Sequence, residues 1–285
     1  MDCDAARTEP AAHNTGRGSF AAEGYSILPG FIEAGDLTIL QSLASEISSR
    51  PAHTAMRRPG SDLYPMRWAD RVIEVALANE RGLARLRAEI DVAELAWLSG
   101  YISSKPPGAP ELPWHQDWWC WWHPISQRQL APQVAVLCYL TDCDQRSGAL
   151  RILPGSHAQR TSLHTQLPEL ADASSSIPPA HPAISDHPQQ ITLTMSAGDA
   201  VLIDYRLLHG THRNEANRCR NCLLLSFLPE PGLLPEEVRA HLALHPALPN
   251  ASEREAAARV PHSTVIAAFS ETGRSLPICR TATFR

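Results

Sequence analysis

The sequence predicts a mainly β protein, an antiparallel sandwich or barrel, with α-helices flanking it on the N-terminal side. Between residues 94 and 229, short runs of β-branched, aromatic and aliphatic residues alternate with Pro, Gly and Asp. No helical pattern intervenes between those runs, which argues against a parallel α/β sheet. Ahead of them, residues 20–93 place apolar side chains at helical spacing.

Taken in order, residues 1–19 are polar, with small residues, Pro and Gly, and are expected to form a loose arm. Residues 24–28 read as a short strand. A helix is expected over 36–47, with Asp36 as N-cap. Leu37, Leu40, Leu43, Ala44 and Ile47 fall on one face of it. Pro51, Pro59, Gly60 and Pro65 mark 50–65 as a loop, and one or two helices follow within 69–91. Strands are expected at 95–103, 133–140, 149–153, 190–195, 200–205 and 221–228. Residues 158–189 are rich in Ser, Pro, His and Ala and suit a lid or an insertion. A short outer helix is expected over 235–244. The division is therefore an arm (1–19) and a single domain (20–285). Within that domain lie a helical layer (20–93), a β core (94–229) and a C-terminal extension (230–285).

Composition narrows the function. The chain has 285 residues, enough for a well-buried core, and a net charge of −5, which gives no reason to expect a nucleic-acid partner. No apolar run has the length of a membrane span, and the N-terminus lacks a signal-peptide pattern, so a cytoplasmic location is expected. The seven cysteines (3, 120, 138, 143, 219, 222 and 279) are odd in number and scattered, which favours free thiols. Lys105 is the only lysine; every other basic side chain is arginine or histidine.

The chemistry centres on Trp114-His115-Gln116-Asp117-Trp118. On a strand, His115 and Asp117 would share a face. A second histidine would complete a set of two imidazoles and one carboxylate with open positions, the arrangement of non-haem Fe(II) oxygenases. Alone, H-x-D is a weak signal and fits a surface turn equally well. Its setting among Trp114, Trp118, Trp119, Trp121 and Trp122 points to a core or an aromatic pocket. His209, at the end of an apolar strand, is the best candidate for the third ligand. His212, His123, His157 and His164 compete with it. Arg220, opening another apolar strand, needs an anion. That anion is either an internal carboxylate or the far carboxylate of a dicarboxylic cosubstrate, to which Thr211 would offer a hydroxyl. Cys219-x-x-Cys222 has no second pair and reads as core packing. Residues 148–157 read as a hairpin, since Asp142 and Asp144 lack the spacing of a calcium loop.

Lys105-Pro106-Pro107, His115-Gln116-Asp117, Gly148…Pro154-Gly155-Ser156-His157, His209-Gly210-x-x-x-Asn214 and Arg220 stand in the order and spacing of one family. Over residues 20–230 the chain resembles the phytanoyl-CoA dioxygenases, a branch of the Fe(II)/2-oxoglutarate oxygenases. The resemblance implies a double-stranded β-helix (jelly-roll, cupin-like) core. It implies Fe(II) held by His115, Asp117 and His209, with 2-oxoglutarate and O2 as cosubstrates and succinate and CO2 as products. Arg220 and Thr211 match the clamp on the far carboxylate. Tyr101, Tyr139, Gln116 and Arg67 match positions that contact the cosubstrate in relatives. Related halogenases carry a small residue at the carboxylate position, so Asp117 argues for oxygenation. Trp118, Trp119 and Trp122 are expected to wall the site of a small-molecule substrate that is apolar, aromatic or cationic. The chain is expected to act as a monomer or homodimer. The rival readings are a jelly roll that binds metal or a small ligand without catalysis, and a structural sandwich. Arg220 speaks against the first, because a plain metal-binding barrel does not need it.

Overall fold

A computed structural model describes residues 17–51, 56–58, 60–167, 177–178, 180–242 and 253–257. Most of the expected arm, the centre of 158–189 and most of the C-terminal extension fall outside these residues. The elements in chain order are α1 (Arg17–Glu23), β1 (Tyr25–Leu28), α2 (Ala34–Ser48), β2 (Met56–Arg58), β3 (Ser61–Pro65), α3 (Arg71–Leu77) and α4 (Glu80–Ile90). The β core follows, with β4 (Leu95–Lys105), β5 (Leu112–His115), β6 (Val134–Tyr139), β7 (Leu150–Ile152), β8 (Ile191–Thr192), β9 (Ala200–Asp204), β10 (His209–Thr211) and β11 (Arg220–Pro229). Helix α5 (Glu236–Leu242) comes after it.

Two antiparallel sheets result. The larger runs β1-β9-β6-β11-β4-β3-β2 and the smaller β5-β10-β7-β8. From β4 onward, successive strands cross between the sheets except β7 and β8, which pair within the smaller one, giving the jelly-roll order β9-β6-β11-β4 facing β5-β10-β7-β8. Side chains alternate along each strand of the larger sheet. Val134, Val136 and Cys138 of β6 face the helices, packing with Leu40 and Ala44 of α2, Ile73 and Leu77 of α3, and Leu86 of α4. Ala135, Leu137 and Tyr139 face the interior between the sheets, with Val201, Ile203, Ile152 and Cys222. On β4 and β11 the same alternation sends Tyr101, Ser103, Lys105, Arg220 and Cys222 inward. Their register pairs Lys105 with Arg220 and Ser103 with Cys222.

Several boundaries differ from the sequence reading. Helix α1 begins inside the expected arm. Helix α2 begins two residues before Asp36, after Glu33, which makes no side-chain cap. Asp36 lies in the first turn, where its charge favours the helix dipole instead. The expected loop 50–65 holds the β2–β3 hairpin. Gly60 supplies its turn, and Pro65 ends a strand near the sheet edge, where a missing N–H is tolerated. Residues 181–190 lie against the outer face of the smaller sheet. Trp114 donates its backbone N–H to Ala183 O at 2.7 Å and its indole N–H to Ser185 O at 2.9 Å. Arg151, stacked 4.7 Å over the Trp114 ring, holds Ile184 O, Ser185 O and the Asp186 carboxylate. This half of the expected lid is a strap on the back of the sheet. Among the described residues, no helix is long and apolar enough to cross a membrane.

Candidate metal centre and anion site

Strand β5 ends at His115, so Asp117 is on the loop beyond it and not on the same strand. The two still converge, because the loop is pinned. Asp117 and Trp118 both donate their backbone N–H to Tyr205 O, at 3.0 and 2.9 Å. His209 does not end the apolar strand β9. That strand stops at Asp204, the chain turns through 205–208 into the smaller sheet, and His209 opens β10 directly across from His115.

The 204–208 corner therefore organises all three side chains. Arg206 pairs with Asp204 at 2.6 Å and also donates to Ser126 O and Arg128 O. The Ser156 hydroxyl donates to Leu153 O at 2.6 Å and accepts the Leu208 N–H at 2.9 Å, fixing the residue before His209. This gives Ser156 of the Pro-Gly-Ser-His motif a physical role. Asn214 has a similar one further on, since its amide bonds Lys105 O and Arg218 O and closes the path from β10 to β11.

One donor atom from each of His115, Asp117 and His209 lies within 4.8 Å of the others. Nε2 of His115 is 3.7 Å from one Asp117 oxygen, and Nε2 of His209 is 3.6 Å from the other. Each imidazole meets a backbone carbonyl through Nδ1: His115 with Pro113 O at 2.8 Å, His209 with Leu207 O at 3.0 Å. A carbonyl only accepts, so Nδ1 carries the proton and Nε2 keeps the lone pair facing Asp117. Two imidazoles and a carboxylate on one side of a small space suit a divalent first-row metal with open positions. Among the described residues this is the sole cluster of that kind. The competing histidines are engaged elsewhere: His123 with Glu237, His157 with Ala21 O, His164 with Thr161, and His212 with Thr192.

Deeper between the sheets the charge changes sign. Arg220 is 2% exposed and pairs with no carboxylate among the described residues; its Nε–H has no acceptor. Tyr139, fully buried across from Cys222, lies beside it. Burial pushes the Tyr139 phenol well above its ordinary range, while Arg220 acts the other way. Thr211 lies two residues past His209 on the same face of β10 and accepts a hydrogen bond from Lys105 Nζ at 3.1 Å. Sequence reasoning missed Lys105 as a buried cation at this position. Its being the sole lysine of an arginine-rich chain was the available signal. Cys222, pushed up to about 12 by burial, is a neutral core thiol and not half of a metal or redox pair.

The remaining candidates separate. Tyr101 stands in the inward row of β4, across from Leu224. Gln116, buried between His115 and Asp117, donates from its side-chain amide nitrogen to Arg206 O. Arg67 is exposed just past β3, its backbone held by Asp70. Trp118 is buried at 3% in the helix-facing core, with its indole N–H on Ser126. Trp119 is half-buried, and Trp122 is 39% exposed with its ring against His123.

Comparison with known proteins gives the family and the fold. The family model for phytanoyl-CoA dioxygenase (PhyH) matches residues 20–222, and the chain belongs to that family. Dioxygenase FUM3 of Gibberella moniliformis is 30% identical over 105 residues, 37% of this chain and 28% of the relative. A probable alpha-ketoglutarate-dependent hypophosphite dioxygenase of Stutzerimonas stutzeri is 27% identical over 127 residues, 44% of this chain and 42% of the relative. Each match thus spans less than half of the relative's own length. The structure of HygX from Streptomyces hygroscopicus, with nickel, 2-oxoglutarate and hygromycin B bound, shares the fold. Its TM-score is 0.56 at 20% identity, over 74% of this chain and 85% of that one.

Proposed function

We propose that the protein is an Fe(II)- and 2-oxoglutarate-dependent dioxygenase that oxidises a small organic substrate, releasing succinate and CO2. The observation that carries this reading is Arg220, a buried guanidinium without a carboxylate partner among the described residues, beyond a His-Asp-His cluster. An unpaired buried charge costs several kcal/mol, and a dicarboxylate supplies the missing anion. A purely metal-binding jelly roll leaves that cost unexplained.

Iron would be held by His115, Asp117 and His209 and would supply the oxidation by O2 coupled to loss of CO2 from 2-oxoglutarate. The chain's own residues supply position. Arg220 offers a planar fork to the far carboxylate, Thr211 offers a hydroxyl, and Tyr139 and Tyr101 flank the path between the clamp and the metal. Asp117 fills the third metal position, which favours oxygenation over halogenation. Trp119 and Trp122 follow Asp117 in the chain, are less buried than Trp118, and suit an apolar, aromatic or cationic substrate. Arg67, exposed just past β3, is a further cation that the family pattern offers to the cosubstrate.

Arg220→Met tests the reading. The variant is expected to lose binding of 2-oxoglutarate to metal-loaded protein, measured by calorimetry, by at least about 100-fold. Its thermal stability without ligand should be unchanged or higher, by up to about 4 kcal/mol, because the buried charge is gone. Undiminished binding would refute the clamp.

A further inference from the structure

Lys105 closes the inward row of β4, fully buried, directly across from Arg220. An ammonium has three donors and no acceptor. Its three partners are Pro110 O at 2.6 Å, Gly60 O at 3.0 Å and Thr211 Oγ1 at 3.1 Å. With those contacts made, no donor remains for a bound anion. The surroundings are shaped around the side chain. Gly60 and Gly148 have φ of +72° and +83°, and a Cβ would lie 2.8 Å from Lys105 Nζ at the first and 2.6 Å from Cε at the second. Both positions need glycine for their backbone and for the space Lys105 fills.

The contact dictates what Thr211 can do. A hydroxyl has one proton and two lone pairs. Accepting from Lys105 uses a lone pair and turns the O–H away from the ammonium, on the strand face that Thr211 shares with His209. We infer that Lys105 is a positioning residue for 2-oxoglutarate: its ammonium fixes the Thr211 hydroxyl as a donor to the distal carboxylate that Arg220 binds. This rests on the reading of Arg220 and Thr211 as the clamp. Lys105 acts only through Thr211. A neutral amine would reverse the relay, because its nitrogen could accept the Thr211 proton. The hydroxyl would then meet the carboxylate with a lone pair.

The charges around Lys105 make this switch sensitive to the anion. Arg220 of β11, Arg151 of β7 and His212 after β10 repel its proton, while Glu111 before β5 and Cys143 after β6 attract it. Burial first, then Arg220, hold Lys105 down at about 7. A carboxylate that accepts from the Thr211 hydroxyl needs Lys105 as the ammonium that donates to Thr211, so binding above that pH takes up a proton through the relay. Affinity is therefore greatest below about 7 and falls as pH rises.

The test is calorimetric titration of 2-oxoglutarate into Mn(II)-loaded wild type, Lys105→Met, Thr211→Val and the double variant, which avoids turnover. Each single change is expected to weaken binding by about 10- to 100-fold, the loss of one hydrogen bond to a charged group. The double variant should bind no more weakly than either single one. Additive losses would overturn the relay. Should Lys105→Met fail to fold, wild type and Thr211→Val decide between them. Wild-type affinity should fall by up to about tenfold per pH unit above neutrality with proton uptake, and Thr211→Val should lose most of that slope. A full slope in Thr211→Val would refute the inference. No binding by wild type at any pH would refute the cosubstrate assignment instead.

Discussion

At the scale of single residues, neighbours in sequence have unlike roles because local contacts send them to different places. His115 and Asp117 converge in one cluster with His209, while Gln116 between them ties down Arg206 O. The tryptophans also divide. Trp118 is core, held by Ser126, and Trp122 is exposed. Trp118→Ala should therefore cost about 3–5 kcal/mol of stability, as core aromatic truncations do. Trp122→Ala should leave the melting temperature nearly unchanged and raise KM for the organic substrate. Denaturant unfolding and steady-state kinetics separate the two, and a stability loss at Trp122 as large as at Trp118 would contradict the division. The members of the His-Asp-His cluster and the buried Arg220 were legible as candidates, because chemistry restricts which residue types can hold a metal or an anion. Lys105 was legible only as a letter in a motif. Its burial depends on two glycines and on Thr211, all far from it in the chain.

Among the elements, the strand runs and the helices α3 and α4 were readable from periodicity. The turns that aim the ligands were not. β5 is too short to carry Asp117, and the corner at 204–208 does that positioning through bonds between residues about 90 apart in sequence. The β2–β3 hairpin was hidden by Pro65, which reads as loop yet is harmless near a sheet edge. Ser156 is the clearest test of the corner. Ser156→Ala removes two buried hydrogen bonds and should cost about 1–3 kcal/mol. It should also weaken metal binding by loosening His209, measurable by competition with a chelator. A wild-type metal affinity in a destabilised Ser156→Ala would mean that the corner shapes the fold without aiming the ligand.

Across the whole molecule, the two faces of the smaller sheet have separate duties. Its inner face carries His115, His209 and Thr211; its outer face carries Trp114 and Arg151 under the strap of 181–190. Composition alone could not tell a strap from a lid, since both are polar and irregular. The bonds from Arg151 decide it for the described half. Arg151→Met should speed amide hydrogen exchange of the strap while leaving 2-oxoglutarate affinity within about twofold, because Arg151 faces away from the pocket. Exchange at wild-type rates would show that the strap is held by other contacts.

The interior between the sheets brings a metal set and an anion site together, and the central claim is that they work as one oxidising centre. The most direct test is succinate formed from 2-oxoglutarate under O2 by the Fe(II)-loaded protein, compared with Asp117→Ala at equal folding. The wild type should form succinate in an iron- and O2-dependent way, and Asp117→Ala should lose at least about 100-fold of that rate. Succinate formation that is absent from the iron-loaded wild type, or undiminished in Asp117→Ala, would contradict the account.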